Sequence, residues 1–233
     1  WPAVDAGGLF IMDNADSKTK WLADSVAAAA TEGSVSRRRL YTDRETVTLR
    51  ARAWLAITSA GATVSYTPGD TREVLNVGAL VARQLILRGD GDERERGIAL
   101  VRRVLGVQKG DGSWPYGTAQ NDGFIDFYHS GFVLRALADI GEHVALGGLT
   151  EAVSRGLQYL ESALLDSDGA PRAGPARRHP VDVHAWAEAV LVGTRFRRPW
   201  LEDTIGWGLA NLQRPDGAFI YQRYRRVALR TPY

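Results

Sequence analysis

Cysteine is absent from the 233 residues, which excludes disulfide cross-links, thiolate nucleophiles and any zinc site with a cysteine ligand. Lysine occurs only at Lys18, Lys20 and Lys109, so the basic side chains are almost all arginine. With 29 basic and 27 acidic residues the formal charge is only +2, which offers a polyanion little attraction. The arginine bias therefore reads as composition, and no nucleic-acid partner is expected. No run approaches the roughly 18–20 apolar residues of a membrane span, and the first residues do not resemble a signal peptide. A cytoplasmic chain without a membrane span is the expectation. The short-spacing signatures of catalytic zinc sites are also missing, and neither a metal nor a cofactor is expected.

What is present suffices for a packed core. Hydrophobic residues make up 45% of the chain and charged residues 24%, proportions compatible with a single domain over residues 1–233. The chain starts at Trp1 and stops at Arg230-Thr-Pro-Tyr233, where an extended segment would turn into another helix. Further helices are expected to be missing at both ends.

Apolar residues recur with a helical period over about 17–31, 43–58, 72–88, 92–107, 127–141, 148–164, 182–194 and 199–213. No strand pattern competes with them, so the expected class is all-α. Asp16 or Ser17, Thr42, Asp70 or Thr71, and Asp126 are placed to cap helix starts, and Gly33, Gly89 and Gly141 to end helices in a left-handed conformation. A turn recurs between these helices. Gln108-Lys-Gly-Asp-Gly-Ser-Trp-Pro-Tyr116 returns as Gln213-Arg-Pro-Asp-Gly-Ala-Phe-Ile-Tyr221, with Asp166-Ser-Asp-Gly-Ala-Pro171 between them. A spacing of roughly 50 residues matches two helices with their connections. Gly7-Gly8 and Gly61 extend the rhythm toward the start. Such a repeat cannot bury its apolar faces alone and must stack on its neighbours, as an open solenoid or as a closed ring.

Two resemblances bear on that choice. Gln108, Gly112 and Trp114 resemble the glutamine-tryptophan repeat of squalene-hopene cyclases and of the wider toroid superfamily of prenyltransferases and terpene cyclases. The ordered set Tyr66-Thr-Pro-Gly-Asp70, Asn76, Gln108 to Gly117, Ile125 to Phe132, Val181-Asp-Val-His184 and Phe219-Ile-Tyr221 resembles bacterial toroid proteins associated with polysaccharide biosynthesis. It implies an (α/α) toroid of helical hairpins around a central cleft, incomplete in this chain. It also implies a glycan substrate, other polysaccharide-biosynthesis enzymes as partners, and functional motifs at Asp126, His129, Gly131, Asp182 and His184. The Asp-Phe-Tyr-His run is similar, more distantly, to the helical domain of glucuronyl 5-epimerases.

Read as chemistry, Asp126 and His129 share a helical face in a first turn, where partial positive charge favours a carboxylate. A carboxylate orienting an imidazole is an acid–base unit; the plainer reading is a cap and a packed histidine. Asp182 and His184, two apart, do not share a helical face, so Asp182 would cap while His184 projects into the cleft. Tyr66, Trp114, Tyr116, Tyr128 and Tyr221 are aromatic groups near turns that could stack on a sugar ring or shield a carbocation. Trp114 could equally staple two helices. Asn76, polar among apolar neighbours, either bonds a turn or faces the cleft. Arg177-Arg178-His179 and Arg223, Arg225 and Arg226 lie in connections, either as anion-binding forks or as solvated charge. Asp13-Asn-Ala-Asp16 departs at its third position from the acid motif of terpene cyclases. The leading expectation is a carbohydrate-active toroid protein with Asp126, Tyr128, His129, Asp182 and His184 as catalytic candidates, and Tyr66, Asn76, Trp114, Tyr116, Tyr221 and Arg223 as substrate contacts. Its alternatives are a non-catalytic glycan-binding protein and a terpenoid cyclase or prenyltransferase.

Overall fold

The computed structural model describes residues 34–38, 46–50, 72–225 and 227–229. The chain divides into two compact units, residues 1–71 and 72–233. In the first unit, β1 (Ser34–Arg38) pairs antiparallel with β2 (Thr46–Arg50), Ser36 opposite Thr48. This hairpin overturns the helix expected over 43–58 and the all-α class, leaving a mostly helical chain with small sheets. Thr46, Val47 and Thr48 are three β-branched residues in succession, and β-branched side chains fit a pleated surface better than a helix. The helix expected over 17–31, the caps proposed at residues 16, 17, 42, 70 and 71, the stop at Gly33, the acid-motif segment and Tyr66 lie outside the described residues.

Among its described residues the second unit carries six helices: α1 (Leu75–Arg88), α2 (Gly91–Val107), α3 (Phe127–Gly141), α4 (Leu149–Ala163), α5 (Val183–Arg195) and α6 (Leu201–Asn211). They correspond to the six helices expected there, with ends displaced by no more than a few residues. They pack as three hairpins: α1 on α2, α3 on α4 and α5 on α6. The first members also pack on one another, α1 on α3 and α3 on α5. An inner row α1–α3–α5 is thus backed by α2, α4 and α6.

The burial pattern explains this layering. Outer helices bury one narrow stripe, Gly97, Leu100, Val101 and Val104 on α2 and Leu149, Ala152, Gly156 and Leu160 on α4, which suits a single neighbour. On α3, Phe127, Ser130, Gly131, Val133, Leu134, Ala136, Leu137 and Ile140 are buried around the helix, as a helix between several neighbours requires. Charged links cross the inner row as well. Asp139 of α3 accepts from Arg83 Nε of α1 at 2.6 Å and from Arg195 Nε of α5 at 3.0 Å.

The recurring turns close three times with the same bonds. Lys109, Asp166 and Arg214 N–H groups donate to the carbonyls of Ser113, Ala170 and Ala218, while Gly112, Gly169 and Gly217 donate back to the carbonyls of Lys109, Asp166 and Arg214. Asp111, Asp168 and Asp216 each accept from the backbone two residues on. The glycines sit at φ +92°, +83° and +84°, a region glycine enters without the strain a Cβ brings. Gly89 and Gly141 do not take the left-handed conformation expected of them. Gly89 is extended at φ −83°, and Gly141 is the last residue of α3 with Glu142 as its cap. A short sheet joins the start of α5 to the chain after α6: β3 (Val181–Asp182) pairs with β4 (Gln222–Arg223), which pairs with β5 (Ala228–Leu229). Pairing across the ladder brings the chain after the last turn beside the start of α5.

Candidate functional site

Asp126 is the N-cap of α3, with extended backbone, and its Oδ1 accepts from the His129 N–H at 2.8 Å. The same carboxylate holds the His129 ring, Nδ1 lying 2.8 Å from Oδ2 and 3.0 Å from Oδ1. Cap and orienter, set as alternatives by sequence reasoning, are one residue. The start of α5 repeats the device. Asp182 Oδ1 accepts from the His184 N–H at 2.7 Å and lies 2.8 Å from its Nδ1. Asp182 thus caps α5 as expected, and the same carboxylate also holds the His184 ring, so the two residues form one unit and not two separate jobs. An N-cap residue has extended backbone, so the helical-face rule does not govern it, and its carboxylate folds back over the first turn.

The β3–β4 ladder adds a further partner, Gln222 Nε2 donating to Asp182 Oδ2 at 3.0 Å. Burial works to raise the Asp182 carboxyl, but the bonds from the His184 ring, Gln222 and the His184 N–H, with the His184 charge, hold it below the ordinary carboxylate value. With a proton on Nδ1 facing the carboxylate, each histidine carries its basic lone pair on Nε2.

The two histidines belong to one aromatic row. Tyr116 packs edge-on against His129 at 4.6 Å between centroids, Tyr128 against His129 at 5.1 Å, Tyr128 near His184 at 5.9 Å, and Tyr221 against His184 at 5.8 Å. Tyr116 and Tyr221 come from the equivalent ends of two recurring turns. Backbone bonds anchor both: Leu75 N–H donates to Tyr116 O, and Val183 N–H to Tyr221 O, each at 3.0 Å. Seven sequence candidates, Tyr116, Asp126, Tyr128, His129, Asp182, His184 and Tyr221, thus converge where α3 and α5 begin.

The others lie elsewhere. Trp114 is 3% exposed, its indole N–H donates to Val104 O at 2.9 Å, and its ring fills the space left by Gly156. This is the helix staple; a ring so enclosed offers no face to a sugar. Asn76 is buried near the start of α1, and its Oδ1 lacks a hydrogen-bond partner. Arg223 is exposed on β4 and donates to Asn211 O, while Arg178 pairs with Asp166 and Asp168.

Sequence reasoning passed over four contributors. Phe124 stacks on Tyr116 at 4.7 Å with 48% of its surface exposed, extending the row. Gln222 follows Tyr221, but its role depends on a two-residue strand with no pattern of its own. Glu188 and Arg135 form a fork, Arg135 Nε to Glu188 Oε1 at 2.7 Å and Nη2 to Oε2 at 2.8 Å. The spacing of Glu188, four residues after His184, was the available signal.

No protein-family model and no curated protein matches the sequence. Solved structures resemble its fold. A UGL variant described with dGlcA-Glc-Rha-Glc matches at TM-score 0.55 and 15% identity, over 70% of this chain and 55% of that one. Cellobiose 2-epimerase from Bacillus thermoamylovorans matches at TM-score 0.53 and 9% identity, over 79% of this chain and 53% of the epimerase. A glycosyl hydrolase family 88 protein from Bacteroides vulgatus matches at TM-score 0.48 and 10% identity, over 67% and 54% of the two chains. The chain spans about half the length of these proteins. The helical arrangement is what the UGL variant and the epimerase share with it.

Proposed function

We propose that this chain is a carbohydrate-active toroid protein that holds a glycan across the aromatic row and transfers protons through His129 and His184. The observation that carries this reading is the duplicated unit: two helix starts, each with a carboxylate on histidine Nδ1, joined through Tyr128. A carboxylate so placed fixes the ring and its tautomer, which presents Nε2 to take and return a proton. The tyrosine faces and Phe124 supply apolar contact for the C–H faces of sugar rings. Asp126 and Asp182 act as orienters, since each already engages its histidine. In this reading the three hairpins are part of a ring that further helices complete, the whole of residues 1–233 is one domain, and polysaccharide-building enzymes are partners. Epimerisation, elimination and hydrolysis all begin from such groups.

The test is thermal stabilisation by acidic and neutral oligosaccharides, with isoprenoid diphosphates alongside, followed by product analysis of any glycan that binds. A glycan-dependent shift that Tyr128→Ala and Tyr221→Ala abolish supports the reading. So does product formation that His129→Gln and His184→Gln remove while binding stays within a few-fold. Binding without any turnover by the native protein would make it a glycan-binding protein, and stabilisation by diphosphates alone would replace the glycan reading with isoprenoid chemistry.

A further inference from the structure

One charged pair lies beneath the aromatic row and has no part in the proton chemistry just described. Glu188 stands on α5 one turn after His184, and Arg135 on α3 two turns after Tyr128 and His129. The Glu188 side chain is 2% exposed. It reaches α3 because residue 131 is glycine: a Cβ there would lie 2.5 Å from Glu188 Cγ and 2.8 Å from its Oε1. The fork is therefore seated in the α3–α5 contact.

As a stabilising device this pair is a poor choice. Burial holds the Glu188 carboxyl above its ordinary value despite the bonds and charge of Arg135 and the charge of His129. The folded environment thus disfavours the anion on balance, and apolar residues of similar volume often serve a buried site as well or better. A two-bond fork supplies what an apolar contact lacks, a fixed distance and rotation between two helices. The link it fixes is the one the row depends on. Tyr128 and His129 ride together on α3, whereas His184 arrives on α5 and must meet Tyr128 across the interface.

We infer that Glu188, clamped by Arg135 in the space left by Gly131, is the positioning residue that holds His184 of α5 against Tyr128 of α3. Its relevance to catalysis rests on the glycan reading; the geometric claim does not. Glu188 touches no reacting atom in this assignment and acts through the placement of His184.

The experiment needs no ligand. Native protein labelled in its His and Tyr rings is examined by NMR for cross-relaxation from the Tyr128 ring to the His129 and His184 imidazoles, assigned with His129→Gln and His184→Gln. The Tyr128–His129 signal lies within α3 and serves as the internal reference. In the double variant Arg135→Met/Glu188→Met, which keeps the volume and removes both charges, the Tyr128–His184 signal is expected to fall several-fold while the reference persists. A pair that only stabilises the fold would leave both signals at native strength in that variant, and this result would overturn the inference. Gly131→Ala provides the second variant should the first fail to fold. It keeps both charges but drives the Glu188 side chain from its seat, and the same selective loss is expected; an unchanged Tyr128–His184 signal sinks the assignment. Failure of every glycan to bind would remove the functional reading and leave these two outcomes intact.

Discussion

At the scale of single residues, the most informative group is Asp182, because three bonds converge on one small carboxylate. Its value is lowered in the folded protein, so it contributes stability that is present above the unfolded carboxylate value of about 3.9. That contribution is lost as pH falls through the lower folded value. The melting temperature of Asp182→Asn is therefore expected to lie below that of the native protein at neutral pH. The gap should narrow on acidification below about pH 4, as the native carboxylate takes up a proton. A gap that stayed constant across this range would mean that Asp182 contributes shape and not charge. Trp114 carries the opposite lesson: the residue most suggestive of ligand stacking is enclosed, its indole N–H committed to Val104 O.

At the scale of elements, the recurring turn is the unit that repeats most faithfully. Its three glycines share a positive φ but differ in surroundings. At Gly217 nothing lies within 4 Å of an added Cβ, whereas at Gly169 the Cβ would meet Asp203 C and Thr204 N at 2.5 Å, and at Gly112 it would meet Arg155 backbone. Gly217→Ala is expected to cost only the left-handed strain, about 1–2 kcal/mol. Gly169→Ala and Gly112→Ala should each cost clearly more, because helix backbone has to move. Urea unfolding midpoints of the three variants decide the matter, and equal losses would show that neighbouring helices do not press on the turns. The Asp of each turn and the Gly after it were legible as a turn from sequence, since the bonds that close it are local. The strands were not. Gln222–Arg223 and Val181–Asp182 are two-residue segments whose pairing partners lie far along the chain.

At the scale of the molecule, one domain over residues 1–233 predicts a single cooperative calorimetric transition, whereas the two compact units separating at residue 71 would give two if they melt independently. Two transitions would confine the toroid reading to the helical unit. The six helices described in that unit were legible because apolar period and turn chemistry act over a few residues and agree there, with side-chain caps at Asp126 and Asp182 adding to them. The aspartate–histidine pairs were visible as candidates for the same reason. Sequence could not tell that α1, α3 and α5 form an inner row, that Tyr128 bridges two histidines, or that Glu188 lies beneath them. Those facts depend on which helices touch, and side chains far apart in the chain meet only when whole faces pack. What the sequence by itself determined was the helical repeat and its polar first turns, through local periodicity and local bonds. Only the tertiary structure decided that Trp114 is a staple, that His184 faces Tyr128 and that Gln222 reaches Asp182, because each is settled by volume and geometry between separate elements.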